Sequence, residues 1–308
     1  MTHNPVFAIM DRAQALAASG ADVISLAVGE PDAPTAEFVV AAAVRAARDP
    51  RNHHYGQAAG LRGLRETVAG RLARQTGLGW PADDVHITLG AKHALFLALH
   101  AVIGAGEAVI VTKPGWPGHR AAVEATNGQV RYAATDAADG HRVTASALDA
   151  ARAPDVRAVI IANPGNPTGT AYGAGAWAEI AAWAARRDVW LITDDVYSSF
   201  VYDKPYVPAL RAAPQLQERC IIIDSVSKAY GMTGWRVGWL AGPASVVDAA
   251  TKMTASTVTH RSWCCITDSV MHHQSKLTRP FRARRIAHRH AGGKGRADGH
   301  VACDPRHP

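Results

Sequence analysis

A lysine at position 228 stands in Ser225-Val226-Ser227-Lys228, directly after the apolar run 220–224, CIIID. At the carboxyl end of a strand its amine is desolvated, which lowers its pKa and lets it form a Schiff base with an aldehyde. Taken alone, a lysine after a strand is more often a surface residue. Eight residues on, Arg236 ends Gly231-Met232-Thr233-Gly234-Trp235-Arg236. Two glycines permit a tight backbone there, and a guanidinium grips a phosphate through two parallel hydrogen bonds. The stretch NPGNPTG at 163–169 packs two prolines and two glycines into seven residues, a rigid turn. Thr193-Asp194-Asp195-Val196-Tyr197 closes another apolar run with two carboxyls and a phenol. An aspartate pair of this kind also suits Mg²⁺, but no further carboxylate motif accompanies it, and no metal is expected. Gly90-Ala91-Lys92 joins a β-branched run to an apolar helical stretch, and the free N–H groups at such a helix start favour an anion.

The stretch 225–238, SVSKAYGMTGWRVG, closely resembles the cofactor-lysine motif of class I aminotransferases, the fold-type-I pyridoxal-phosphate enzymes. The resemblance implies pyridoxal 5'-phosphate held through Lys228. NPGNPTG is similar to the family's Asn-Pro-Thr-Gly motif, which implies that Asn166 bonds the phenolic oxygen of the cofactor. Asp194 and Tyr197 match the Asp-Glu-x-Tyr segment, whose aspartate pairs with the pyridine nitrogen and whose tyrosine meets the phenolic oxygen. A carboxylate beside that nitrogen keeps it protonated, so that the ring withdraws electrons from the α-carbon bond being broken. The turn carrying Ala91 and Lys92, with Ser225 and Arg236, resembles the phosphate site. Trp116, in Pro114-Gly115-Trp116-Pro117, matches the aromatic residue that stacks on the ring, although Lys113, Gly115 and His119 depart from the commoner pattern; plain core is its other reading. Tyr55, in HYGQAAGL, resembles the tyrosine that reaches the phosphate of the partner subunit, implying a homodimer with shared sites. Gly29 matches the glycine whose backbone lies beside the substrate carboxylate. Lys92 matches a lysine that meets a distal substrate carboxylate, implying dicarboxylic substrates; a solvated first-turn lysine is its other reading. The resemblance spans roughly residues 6–257, with at least five motifs in family order.

These residues need a frame that brings strand ends together. From about residue 85 to 242, short β-branched runs alternate with Ala-rich helical stretches, the pattern of an α/β protein with a mainly parallel seven-stranded sheet and helices on both faces. The expected strands are 85–89, 108–112, 129–133, 156–162, 189–193, 220–224 and 236–241, with helices near 92–103, 117–127, 174–187 and 243–253. Upstream, a short helix at 6–19 ends at Gly20 and precedes a strand-like 22–26. In open α/β sheets ligands bind outside the carboxyl ends of the strands, where these motifs fall. The expected division is an N-terminal segment 1–30 contributing to an incomplete small domain, a large cofactor-binding domain 31–257, and a basic tail 258–308.

Charge divides the chain in the same way. The net +7 comes from residues 260–308, which hold ten Lys and Arg against three Asp, leaving 23 basic and 23 acidic residues before them. The basic excess is a property of the tail and says nothing about what the body binds, and a nucleic-acid partner is not expected. The tail departs from the family pattern and supplies no recognisable arginine for the substrate α-carboxylate. A basic interaction arm and a shifted reading frame in a GC-rich gene are the two readings of it, the second being favoured. No apolar run reaches the ~20 residues of a membrane-spanning helix, and Asp11 and Arg12 interrupt a signal-like start, so a cytoplasmic protein without membrane partner is expected. Four cysteines do not make a disulfide framework in 308 residues, and unpaired thiols are expected. The expected function is pyridoxal-phosphate-dependent transfer of an amino group from an amino acid to a 2-oxo acid. A carbon–sulfur lyase or biosynthetic cyclase on the same fold, and a catalytically impaired cofactor-binding pseudoenzyme, remain as alternatives, because fold does not select among reactions.

Overall fold

Seven strands form one sheet in the computed structural model, which describes residues 5–258 and the side chains of all of these except Pro5 and Phe7. They are β1 (Val85–Thr88), β2 (Ala108–Lys113), β3 (Gln129–Ala134), β4 (Val156–Ala162), β5 (Trp190–Asp194), β6 (Cys220–Ser225) and β7 (Gly238–Ala241), in the order β1-β7-β6-β5-β4-β2-β3. The pairs β2–β3, β2–β4, β4–β5 and β5–β6 are parallel, and β7 runs antiparallel to both β6 and β1. Six strands therefore share one direction, and their carboxyl ends gather along one edge of the sheet.

Alternation along the strands feeds two cores. Val159 and Ile161 of β4 face one, with Leu191 and Ile222, while Ala158 and Ile160 face the other, with Ile192, Ile221 and Ile223. Each face is covered by helices, because a strand apolar on both sides must be buried on both. On the first face lie α2 (Glu37–Ala47), α3 (Arg62–Thr76), α6 (Ala145–Ala151), α7 (Ala174–Arg187) and α8 (Ala209–Ala212). On the second lie α4 (Ala91–Val102), α5 (Pro117–Ala125) and α10 (Ala244–Thr257). The remaining helices are α1 (Pro5–Ala18) at the start and α9 (Val226–Ala229), one turn after β6.

All seven expected strands and all five expected helices are present, with shifted ends. The last strand begins at Gly238 rather than 236 because Arg236 has φ +55°, a left-handed conformation that breaks extended backbone. Residues 22–26 are not a strand: no other strand pairs with them among the described residues, and Ile24 and Leu26 are 85% and 90% exposed. Helices α2, α3 and α6 were not among the expected elements. In α3 the narrow stripe Leu64, Val68, Leu72 is masked by four arginines, two of which, Arg65 and Arg71, the fold buries. The expectations for 259–308, including Cys264, Cys265 and Cys303, lie outside the described residues; Cys220 is buried and has no disulfide partner among the described residues. No described helix is long and apolar enough to cross a membrane.

Candidate active site

The sheet register sets the site before any side chain is considered. Ser225 of β6 and Thr88 of β1 pair with the two sides of Gly238 on β7, which places the start of α4 and the start of α9 at the same level of the sheet. A Cβ on Gly238 would come within 2.6 Å of the Gly90 carbonyl carbon and 2.7 Å of the Ala91 nitrogen, so only glycine allows the loop before α4 to lie on β7. Arg236 then reaches across this loop. Its Nη1 donates to Thr233 O at 2.8 Å and its Nη2 to Leu89 O at 3.2 Å, and a Cβ on Gly90 would meet Nη2 at 2.5 Å. Ser225 caps α9, accepting from the Ser227 N–H at 3.3 Å. The N–H groups of Ala91 and Lys92 belong to the first turn of α4, where no helical carbonyl is available to them. A guanidinium, a hydroxyl and a helix start together form a cradle fit for a phosphate.

Lys228 follows on α9. Its Nζ donates to Gly29 O at 2.5 Å and lies 5.9 Å from the centre of the Tyr197 ring. Burial holds this amine below the usual lysine range, with the Glu30 carboxylate acting in the other direction. Asn166 Nδ2 donates to Tyr197 Oη at 3.3 Å. Tyr197 in turn is held above the usual phenol range, by burial first and by the Asp194 charge second, with Asn166 opposing both. The turn that carries Asn166 is closed by the Gly165 N–H donating to Thr170 O and the Gly169 N–H to Gly165 O, each at 2.8 Å.

Asp194, at the end of β5, is 7% exposed and is met by His119 Nε2 at 2.9 Å from its Oδ2. His119, on α5, is itself buried, and its ring stands edge-on to Trp116 with centroids 5.3 Å apart. Trp116 also lies under the Lys92 ammonium, 5.6 Å from ring centre to Nζ. A cavity of about 660 Å³ opens among these groups, in the size range of small-molecule sites. Gly29, Lys92, Trp116, Asn166, Tyr197 and Lys228 all line it. Apolar walls come from Val6, Leu26, Val28 and Phe200.

The fold thus gathers Gly29, Lys92, Trp116, Asn166, Tyr197 and Lys228 around one cavity, with Asp194 behind it and Ala91, Ser225 and Arg236 at the cradle. Tyr55 is apart from them: it is 87% exposed and does not line the cavity. Sequence reasoning noted His119 only as a departure from pattern and missed its contact with Asp194, because 75 residues separate the two and no local spacing links them. The fit of Gly238 against Gly90 was likewise missed. No group of three His, Cys, Asp or Glu among the described residues is arranged to hold a metal ion.

Comparison with known proteins agrees with this geometry. The family described as "Aminotransferase class I and II" matches residues 21–291. An aspartate aminotransferase of Streptomyces avermitilis is 35% identical over 254 residues, 82% of this chain and 62% of the relative. One from Geobacillus stearothermophilus is 32% identical over 256 residues, 83% of this chain and 65% of the relative. The chain thus spans under two thirds of the length of these relatives. Among solved structures, aspartate aminotransferase from Thermus thermophilus with maleate has a TM-score of 0.85 at 29% identity, covering 90% of this chain and 72% of that one. The extent of the match, the identity and the shared fold make this chain a member of the class I and II aminotransferase family.

Proposed function

We propose that this chain binds pyridoxal 5'-phosphate through Lys228 and transfers the amino group of an amino acid to a 2-oxo acid, as a cytoplasmic homodimer that prefers dicarboxylic substrates. The observation that carries the reading is the half-buried Lys228 amine, held below its usual pKa and 5.9 Å from the ring centre of Tyr197, whose hydroxyl accepts from Asn166. Bound here, pyridoxal phosphate supplies an aldehyde that captures amines and a protonated ring that draws electrons from the substrate α-carbon.

The chain's own groups do the rest. Arg236, Ser225 and the N–H groups of Ala91 and Lys92 bind the phosphate. Asp194 takes the ring nitrogen, and His119 holds that carboxylate in place. Tyr197 and Asn166 take the phenolic oxygen, and Trp116 covers the ring. Lys228, as a free amine, takes and returns a proton at the substrate α-carbon, and its lowered pKa favours the unprotonated form that this role needs. Gly29 lines the cavity where the substrate carboxylate enters. Lys92 offers a compact cation to a second carboxylate, and the Thermus relative is described with maleate, a dicarboxylate. The exposure of Tyr55 suits a residue that serves the partner subunit's site.

The test is borohydride reduction of the protein mixed with pyridoxal phosphate, followed by peptide mapping and by an assay of oxo-acid formation from aspartate and from alanine. The expected result is a label on Lys228 and faster turnover of aspartate. A label on another residue, or no oxo acid from either substrate, overturns the reading.

A further inference from the structure

Arg71 has no part in the chemistry above, yet it touches the segments that carry it. It projects from α3 and is 4% exposed. Its Nη1 donates to Tyr230 Oη at 3.1 Å, and its Nη2 to Asp224 Oδ2 at 3.3 Å and Ser198 Oγ at 3.4 Å. The acceptors lie on either side of the proposed machinery. Asp224 precedes Ser225, Tyr230 comes two residues after Lys228, and Ser198 directly follows Tyr197.

A guanidinium buried this deeply is costly unless its charge is answered, and an apolar residue on α3 would fill the same space. Burial acts against the charge of Arg71, and the attraction of Asp224, Tyr230 and Tyr206 outweighs it, leaving its pKa raised. On Asp224 the balance falls the other way: burial pushes the carboxyl up to about 7 in spite of Arg71. The planar fork of arginine suits several acceptors at once, which a lysine ammonium on a flexible stem does not reproduce.

We propose that Arg71 is a positioning residue that ties the Lys228 segment to the Tyr197 segment, so that the lysine amine and the tyrosine hydroxyl meet the cofactor in one fixed arrangement. This rests on the reading of Lys228 as the cofactor lysine. Without the tie, the ends of β5 and β6 hold their places in the sheet, but the loops beyond them settle independently. Cofactor binding then has to order them, and affinity falls.

The experiment uses the full chain and pyridoxal phosphate as probe. Ser198→Ala and Tyr230→Phe each remove one acceptor and leave the Arg71–Asp224 pair intact. Each is expected to raise the Kd for pyridoxal phosphate about fivefold, the equivalent of one net hydrogen bond. Arg71→Met is expected to raise it further, Arg71→Lys to recover part of the loss, and Ser198→Ala or Tyr230→Phe to add nothing in the Arg71→Met background. A merely structural role lowers the unfolding temperature of the cofactor-free protein and leaves Kd unchanged. If Arg71→Met does not fold, the two acceptor variants decide alone. Unchanged Kd in both, with Lys228 still trapped by borohydride, overturns the tie and spares the cofactor reading. Equal further losses in the Arg71→Met background also overturn it. Failure to trap Lys228 in the unsubstituted chain overturns both.

Discussion

His119 Nε2 lies 2.9 Å from Asp194 Oδ2, and both side chains are buried. The contact joins the first turns of α5 to the end of β5, and it aims the carboxylate while answering part of its charge. A buried carboxylate left without its partner bears the full desolvation penalty. His119→Phe keeps ring volume but removes the donor, and it should weaken pyridoxal phosphate binding by about tenfold, or ~1.4 kcal/mol. Absorbance titration of cofactor into the two proteins measures this, and equal affinities would show that His119 is only packing.

Gly238→Ala should destabilise the protein without removing any polar side chain. The new methyl would meet the Gly90 and Ala91 backbone at 2.6 to 2.8 Å, and backbone on both sides cannot swing away as a side-chain tip can. Overpacking of this kind costs about 1–3 kcal/mol. Urea unfolding should show a lower midpoint, and phosphate should bind more weakly because the α4 start is displaced. A variant as stable as the parent would mean that β7 and the loop can separate freely.

Lys92→Ala should cost aspartate more than alanine as substrate. Lys92 lines the cavity beside Trp116, where a second carboxylate of the substrate can approach its ammonium. The expected loss in kcat/KM is about tenfold for aspartate, an ion-pair contribution of ~1.4 kcal/mol, and under threefold for alanine. Parallel losses for both substrates would assign Lys92 to the phosphate site alone.

The acidic cluster behind the site should make stability fall as pH rises. Burial, reinforced by Asp224 and Asp194 and opposed by Tyr206, pushes Asp195 up to about 8, and Asp224 rises to about 7. Both start from the ordinary aspartate value of 3.8, so between that pH and about 8 the native state binds more protons than the unfolded chain. Stability from these groups is whole below the unfolded pKa and is lost as pH rises through the folded one. Between pH 6 and 8 the unfolding temperature of the cofactor-free protein should therefore drop, and Asp195→Asn should flatten the decline. The absence of a decline over that window would mean that both carboxylates are ionised in the native state throughout.

The alternation of β-branched and Ala-rich stretches determined the seven strands and their helical cover, since period-two and period-3.6 patterns are properties of neighbouring residues. The motifs around Asn166, Asp194, Ser225, Lys228 and Arg236 were legible for the same reason, each being a short run with its own local chemistry. Tertiary structure decided what local runs cannot express. The stretch 22–26 has strand-like composition, but a strand exists only where another pairs with it, and none of the described strands does. Arg236 sits in a strand-like run, yet its left-handed backbone is held by its reach to Thr233 and Leu89. His119 reaches Asp194 from 75 residues away, and Arg71 reaches Asp224 from 153, because strand order, not chain order, sets which side chains share the buried end of the sheet.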